Sequence, residues 1–295
     1  MLTTMNKSSS GAALIMVLFI AAILGSISVL LIVQTKQHIQ RITIAKEFMQ
    51  AERNLITDLN HFIFTTQTSP YAFMGDSTNI AFSKKTLPKG INLQNTPFTY
   101  RKSQFSIQDM GGLISINPLD RALFIRYLTQ LNWPDDQVYR FLDVLADWQD
   151  ADGFQRVNGA EAYQYSVYGY PLNQLVQSVK DLGLFANVDP LLLGHLASDQ
   201  NLILYSAGRK TLDYAPDQLL PVYHSDFDAN NLQRARDKSR QSDENLLINN
   251  YSSGNWIIKV NTSYRQGKSS KVLHLLRRFG ERRPFVISHW QERPK

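Results

Sequence analysis

The sequence predicts an α+β fold in which one long N-terminal helix packs on an antiparallel sheet and a large helical domain is inserted into that sheet. Three observations support this class. An uncharged apolar stretch runs directly into a segment with helical periodicity, strand-like alternation lies on both sides of the chain's middle, and the middle has short helical patterns divided by Pro, Gly, Asp and Asn. With 43% hydrophobic residues and no cysteine among its 295 residues, the chain can fill cores but cannot form disulfides.

The N-terminal apolar stretch is a predicted transmembrane span. It covers residues 12–33, twenty-two residues without a charged side chain, and as a helix it is roughly 33 Å long against a hydrocarbon core of about 30 Å. Residues 1–11 form a short polar leader that ends in Gly11. A secretory signal peptide has an apolar core of about 7–15 residues and then a cleavage site. This span is longer and continues without a break.

The segment after the span continues the same helix. No proline or glycine separates the two, so we predict one helix from Ala12 to about Phe64. Its apolar residues recur mostly every three or four positions, which is typical of an amphipathic helix, and we expect the stripe to pack on later residues of the chain. The stripe consists of Ile39, Ile42, Ala45, Met49, Ile56, Leu59 and Ile63.

Strand-like alternation follows this helix and returns at the C-terminus. We therefore assign residues 34–110 to the amphipathic helix and first strands, and residues 241–295 to the last strands of the same domain. A polar, charged segment at residues 228–246 is predicted to be a flexible loop. The predicted strands are Phe98 to Asp109, Trp256 to Tyr264, Lys271 to Phe279 and Phe285 to Trp290.

Residues 111–240 are predicted to form an inserted all-α domain. Their apolar residues have helical spacing, and Pro, Gly, Asp and Asn divide them into short helices. The predicted helices are residues 118–132, 134–149, 172–185, 189–197 and 215–223.

One acidic turn in this insertion carries metal-binding chemistry. Asp147, Asp150, Asp152 and Glu161 lie within about fifteen residues, beside Gly and Asn. Converging carboxylates of this kind suit calcium, which takes six to eight oxygen ligands. Counted from Asp150, the acidic residues fall at positions 1, 3 and 12 of an EF-hand, but Phe and Gln at positions 5 and 6 exclude that motif. The alternative makes Asp147 part of a solvated helix face and the other three turn and capping residues.

Enzymatic interpretations find little support. The sequence lacks the zinc-protease, nucleophile-elbow, phosphate-loop and dinucleotide motifs. Its six histidines are scattered singly. Asp147 and Asp150 as a carboxylate pair for glycoside hydrolysis have no other support. We therefore predict a protein that is not an enzyme.

The N-terminus resembles that of type IV pilins and of the pseudopilins of type II secretion, with a polar leader ending in Gly before an uncharged span. The resemblance implies that a prepilin peptidase cuts after Gly11, so that the mature chain begins at Ala12. Most members have Glu at the fifth mature position, where this chain has Met16. A buried glutamate needs a partner, so its loss implies a subunit at the filament tip. An ordinary signal anchor on an unrelated periplasmic enzyme is the alternative.

Two internal motifs resemble the protein K family of type II secretion. They are DWQDAD…GAEAYQY in the acidic turn and QDMGGLISIN before the helical domain. The resemblance implies a type IV pilin-like fold with an inserted SAM-like helical domain and bound structural calcium. It makes Asp150, Asp152 and Glu161 ligands, with Asp147 as a further candidate. Gln149 departs from the family pattern, and so does the segment from Leu204 to Pro216, which implies a reduced second helical repeat.

The same resemblance implies a minor pseudopilin that caps and initiates the pseudopilus tip, with the minor pseudopilins I and J as partners. It implies a single-pass inner-membrane protein whose C-terminal domain lies in the periplasm. The alternative function is a minor pilin of a type IV pilus or DNA-uptake system. Short helices near residues 178–197 and basic residues beside aromatics, such as Arg277 and Arg278, are compatible with nucleic acid. They equally fit a solvated sheet edge, and we expect no nucleic acid.

Overall fold

A computed structural model describes most of the chain outside the leader and a few connecting segments. The described residues are 10–75, 87–166, 169–206, 208, 210–223, 251–278 and 285–292. Most of the predicted leader, the predicted loop at residues 228–246 and part of the basic C-terminal segment lie outside them.

The chain divides into two compact units. The first consists of Met1–Asn54 with Thr262–Ser269, and the second of Leu55–Asn261 with Ser270–Lys295.

Helix α1 runs without interruption from Ser10 to Gln67, which confirms the single long helix. Its first part is uncharged, and from Ala13 to Lys46 every residue is exposed. By length and composition, this helix is able to cross a membrane.

Within the first unit, the turn between strands β5 (Trp256–Tyr264) and β6 (Gly267–Arg277) contacts α1 at Glu47. The Gln266 backbone N–H donates to Glu47 Oε2 at 3.2 Å, and Arg265 Nη1 lies 3.7 Å from Glu47 Oε1. Gly267 packs directly on the helix backbone, because a Cβ at this position would lie 2.3 Å from the Glu47 carbonyl carbon. The buried Glu47 therefore fixes this turn on the helix.

The second unit contains most of a five-stranded sheet in the order β1-β2-β5-β6-β7. Strand β1 is antiparallel to β2, and β6 is antiparallel to β7. The strand predicted at residues 256–264 is confirmed at both ends. The predicted α+β fold class is also confirmed. The strands are β1 (Phe98–Tyr100), β2 (Ser103–Asp109), β5 (Trp256–Tyr264), β6 (Gly267–Arg277) and β7 (Phe285–Glu292).

The C-terminal part of α1 packs on this sheet and on the short helix α2 (Tyr71–Met74). Phe62 stacks on Phe105 of β2 with ring centroids 4.8 Å apart. Burying such side chains stabilises each by about 1.5–3 kcal/mol. The core is formed by Leu55, Leu59, Phe62, Ile63, Tyr71, Ala72, Leu93, Phe98, Phe105, Ile107, Tyr214, Trp256, Ile258, Val260, Leu273 and Leu275.

The prediction that the whole apolar stripe packs on the chain itself is wrong for its first part. Ile39, Ile42 and Met49 are 58%, 68% and 69% exposed, whereas Leu59 and Ile63 are buried. The core beneath the sheet includes α1 residues from Leu55 onward, and before them Ala51 is also buried. Helical spacing marks an apolar face but does not show where its covering surface begins.

Between β2 and β5 lies the inserted domain, built from α3, α4, α5 and α6 with two added strands. The prediction of an all-α insertion is wrong in this respect, because β3 and β4 pair in parallel. The helix predicted at residues 172–185 is reduced to a 3-10 helix, Val179–Leu184. The elements are β3 (Ile114–Asn117), α3 (Arg121–Gln130), α4 (Asp135–Gln149), α5 (Pro190–Ala197), β4 (Leu202–Tyr205) and α6 (Leu220–Tyr223).

Aromatic side chains hold the inserted domain together. Phe124 of α3 stacks on Phe141 of α4 with centroids 5.5 Å apart. Trp148, at the end of α4, is fully buried and lies 5.0 Å from the ring of Phe185. This packing fixes the C-terminal end of α4, where the acidic turn begins.

A buried carboxylate joins the inserted domain to the sheet. Asp109 accepts hydrogen bonds from the Gly111 backbone N–H (2.8 Å) and Thr211 Oγ1 (3.0 Å), and from Ser252 Oγ (2.7 Å) and the Ser253 N–H (2.8 Å). Burial raises the pKa of Asp109, while these donors act to lower it. One side chain thus ties the segment that leaves the sheet to the segment that returns.

Candidate metal centre

The acidic turn is formed where α4 ends. The helix stops at Asp150, which adopts an extended conformation while its N–H donates to the Ala146 carbonyl at 3.1 Å. Two residues later, Asp152 Oδ1 accepts from the Phe154 N–H at 2.9 Å. This local turn keeps the Asp152 carboxylate near the helix end, a common use of Asp in turns.

The structure brings together three of the four predicted ligands. Asp150, Asp152 and Glu161 each offer a carboxylate oxygen, and the three oxygens lie within 4.8 Å of one another. Calcium bonds to oxygen at 2.3–2.6 Å, so two oxygens on one ion are separated by at most about 5 Å. The spacing of the cluster therefore fits a calcium ion.

Two oxygens of these three carboxylates have no hydrogen-bond partner among the described residues. Glu161 is only 5% exposed, and its Oε1 is buried without a hydrogen bond. Asp150 Oδ1 is likewise buried without one. Buried polar atoms normally have a hydrogen-bond partner. These two oxygens therefore indicate that a ligand binds here.

The electrostatics of the cluster favour a bound positive charge. The pKa of Glu161 is raised, first by burial and then by the negative charges of Asp147, Asp150 and Asp152. Ionised carboxylates at this distance repel one another. A proton or a cation on Glu161 relieves that repulsion.

Asp147 lies outside the three-carboxylate cluster. It is fully buried, and Arg156 binds it twice, through Nη1 to Oδ1 at 2.5 Å and through the backbone N–H to Oδ2 at 3.1 Å. The interpretation of Asp147 as part of a solvated helix face is therefore wrong. The reason is that the loop after α4 folds back over the helix end and covers the carboxylate.

Sequence reasoning missed Arg156, and it noted Gly159 only as part of a turn rich in Gly and Asn. Arg156 Nη1 also lies 2.5 Å from Asp150 Oδ2, so one guanidinium joins two carboxylates. At Gly159 a Cβ would lie 1.8 Å from Asp147 Oδ2, so only glycine allows the loop to close there. The available signal for Arg156 was a single Arg inside an acidic segment. Nothing local in the sequence indicated that Gly159 contacts Asp147.

The predicted processing and assembly residues lie in α1. The structure places Gly11 and Ala12 in its first turn, and Met16, 67% exposed, one turn further along. Cleavage after Gly11 and the consequence of Met16 stay predictions.

Comparison with known proteins gives one family and one fold. Residues 91–198, just over a third of the chain, match the family model for Type II secretion system (T2SS), protein K. A chain in the crystal structure of the GspK-GspI-GspJ complex from the enterotoxigenic Escherichia coli Type 2 Secretion System is similar in fold, with a TM-score of 0.55 and 13% identity. That alignment covers 86% of this chain and all of the other. No curated protein gives a significant match.

A long N-terminal helix packed on an antiparallel sheet, with a domain inserted between the strands, is a pilin-like α+β fold. The matched segment contains the acidic turn and α3 to α5. Over this segment the chain is similar to the protein K family of type II secretion.

Proposed function

We propose that this protein is a minor pseudopilin that caps and initiates the tip of the pseudopilus during protein export across the outer membrane. The observation that carries the proposal is the family match over residues 91–198 within a pilin-like helix and sheet. The protein acts by assembly rather than catalysis.

The exposed stripe of α1 supports an assembly role. Ile39, Ile42 and Met49 leave apolar surface uncovered beyond the membrane-spanning part of the helix. Contiguous exposed apolar surface typically marks an interaction site. In this proposal neighbouring subunits cover the stripe. Met16 brings no carboxylate into the membrane, as expected for a subunit that has no neighbour above it.

The partners in this proposal are the minor pseudopilins I and J of the same system. The solved structure of similar fold is a GspK-GspI-GspJ complex. The span holds the chain in the inner membrane with its C-terminal domain in the periplasm. Prepilin peptidase removes the leader after Gly11, and the mature chain begins at Ala12.

The test of assembly is co-expression of the full chain with the I and J pseudopilins of its own system and purification in detergent. We expect a stable complex of all three, which Ile42→Glu weakens because it places a charge on the exposed stripe. Val157→Glu, at a residue that is 96% exposed on the acidic loop, is the control. A chain that ignores I and J but binds type IV minor pilins or DNA would support the alternative function instead.

We further propose that Asp150, Asp152 and Glu161 hold a structural calcium ion. The support is the spacing of the three carboxylates, together with the buried, unpartnered Glu161 Oε1 and Asp150 Oδ1. When bound, calcium supplies positive charge that offsets the repulsion among the ligands and links the end of α4 to Glu161. Asp147, although predicted as a candidate ligand, is engaged by Arg156 instead.

Calorimetry and thermal unfolding of the full chain in detergent, with calcium or with chelator, test this site. We expect one saturable site and a higher Tm with calcium, both lost in the double variant Asp150→Asn, Asp152→Asn. Asp135→Asn removes an exposed carboxylate from the other end of α4 and serves as the control. Absence of binding to the unaltered chain would overturn the metal proposal and leave the assembly proposal intact.

A further inference from the structure

Arg156 supplies a positive charge at one side of the acidic turn. Its Nη1 lies 2.5 Å from both Asp147 Oδ1 and Asp150 Oδ2. Asp150 is therefore shared. Its Oδ2 binds Arg156, its buried Oδ1 has no partner among the described residues, and the residue is one of the three clustered carboxylates.

The two carboxylates bound by Arg156 differ in their surroundings. The Asp147 side chain is fully buried, whereas 24% of the Asp150 side chain is exposed. Asp147 also accepts the Arg156 backbone N–H at 3.1 Å. Arg156 therefore has a fixed attachment at Asp147, which a buried charge requires, and a second attachment at Asp150 that is easier to give up.

A divalent cation and the guanidinium compete for Asp150. Like charges that share one carboxylate repel each other, and each lowers the affinity of the other for that carboxylate. The Arg156 side chain is 42% exposed, so it has room to move away from Asp150 toward solvent while its backbone stays bound to Asp147.

We infer that Arg156 is a tethered counter-ion of the acidic turn. It neutralises Asp147 and Asp150 when no metal is bound, so the loop stays folded, and it weakens cation binding by competing for Asp150. This inference rests on the proposed calcium site and names the residue that sets its affinity. Arg156 is a positioning residue, since it acts on the ion through Asp150.

The test measures calcium affinity and thermal stability of the full chain in detergent, for Arg156→Gln and Arg156→Lys. In Arg156→Gln we expect calcium to bind about tenfold or more tightly, because a like charge beside the ion is gone. We also expect a lower Tm in chelator and a larger Tm gain on adding calcium. Arg156→Lys keeps the charge and should stay near the unaltered chain in affinity. A purely structural Arg156 would not give tighter binding.

Arg156→Gln leaves Asp147 as a buried charge without its ion pair, and that variant is expected to fold poorly. The double variant Asp147→Asn, Arg156→Gln removes both charges and keeps the measurement possible. Unchanged or weaker calcium binding in the double variant overturns the inference. If calcium binds neither the unaltered chain nor the double variant, the metal site itself is overturned.

Discussion

At the scale of single residues, the end of α4 depends on a position where no side chain fits. Gly159 lies against the buried Asp147 carboxylate, which Arg156 also binds. A side chain at position 159 would therefore displace the carboxylate or the loop.

We therefore expect Gly159→Ala to lower the free energy of unfolding by about 1–3 kcal/mol, the usual cost of overpacking a core. A Cβ at position 159 would lie 1.8 Å from Asp147 Oδ2. Thermal unfolding of the full chain in detergent measures the change.

Gly153, in the same loop, is the matched control. A Cβ there meets nothing within 4 Å, so Gly153→Ala should leave the Tm unchanged or slightly higher. Equal losses in both variants would show that the loop is sensitive to any substitution rather than to the contact with Asp147.

At the scale of elements, the turn between β5 and β6 is built to approach α1 closely. Gly267 faces helix backbone atoms, which cannot rotate away as a flexible side chain can. The Gln266 N–H and Arg265 both meet the Glu47 carboxylate at this point. The contact is therefore specified by one glycine and one buried acid.

Gly267→Ala should detach this turn from the helix, because its Cβ would lie 2.3 Å from the Glu47 carbonyl carbon. We expect a loss of about 1–3 kcal/mol and faster amide hydrogen exchange at the Gln266 N–H. Hydrogen exchange of the full chain in detergent, read by mass spectrometry, reports the second effect.

Gly194 in α5 is the comparison for this prediction. A Cβ added at Gly194 would meet nothing within 4 Å. Gly194→Ala should therefore stabilise the helix by about 0.5–1 kcal/mol. Protection at Gln266 that is unchanged in Gly267→Ala would contradict the proposed closeness of the turn.

At the scale of the whole molecule, two hydrophobic cores share one chain, one beneath the sheet and one in the inserted domain. Asp109 lies where the chain passes between them and accepts donors from both the outgoing and the returning segment. All four partner groups are donors. The side chain at position 109 must therefore accept hydrogen bonds through both of its oxygens.

Asp109→Asn should weaken the coupling between the two cores. Its amide NH₂ would face a donor, which leaves a buried group unsatisfied at a cost of about 1–3 kcal/mol. Differential scanning calorimetry should show the unfolding transition broaden or split, because the cores then unfold more independently.

Asp189→Asn is the control for this change. Asp189 is exposed and caps α5 by accepting the Leu191 N–H at 2.8 Å, a role that Asn performs equally well. An unaltered single transition in Asp109→Asn would mean that the two cores are coupled by other contacts.

The sequence by itself determined the features that depend on local pattern. Lack of charge and helical spacing predicted one helix across residues 12–64, and an extended run bounded by a turn predicted β5 at its true bounds. The short acidic spacing predicted a turn with four carboxylates, of which Asp150, Asp152 and Glu161 approach one another. Each of these follows from periodicity or from a few neighbouring residues.

Only the tertiary structure decided the features that depend on contacts between distant segments. The parallel pairing of β3 with β4 joins segments on either side of three helices. The exposure of Ile42 depends on where the core beneath the sheet begins, and the burial of Asp147 depends on the loop that Gly159 allows to close. Periodicity shows which face of an element is apolar, whereas burial is set by what the rest of the chain places against that face.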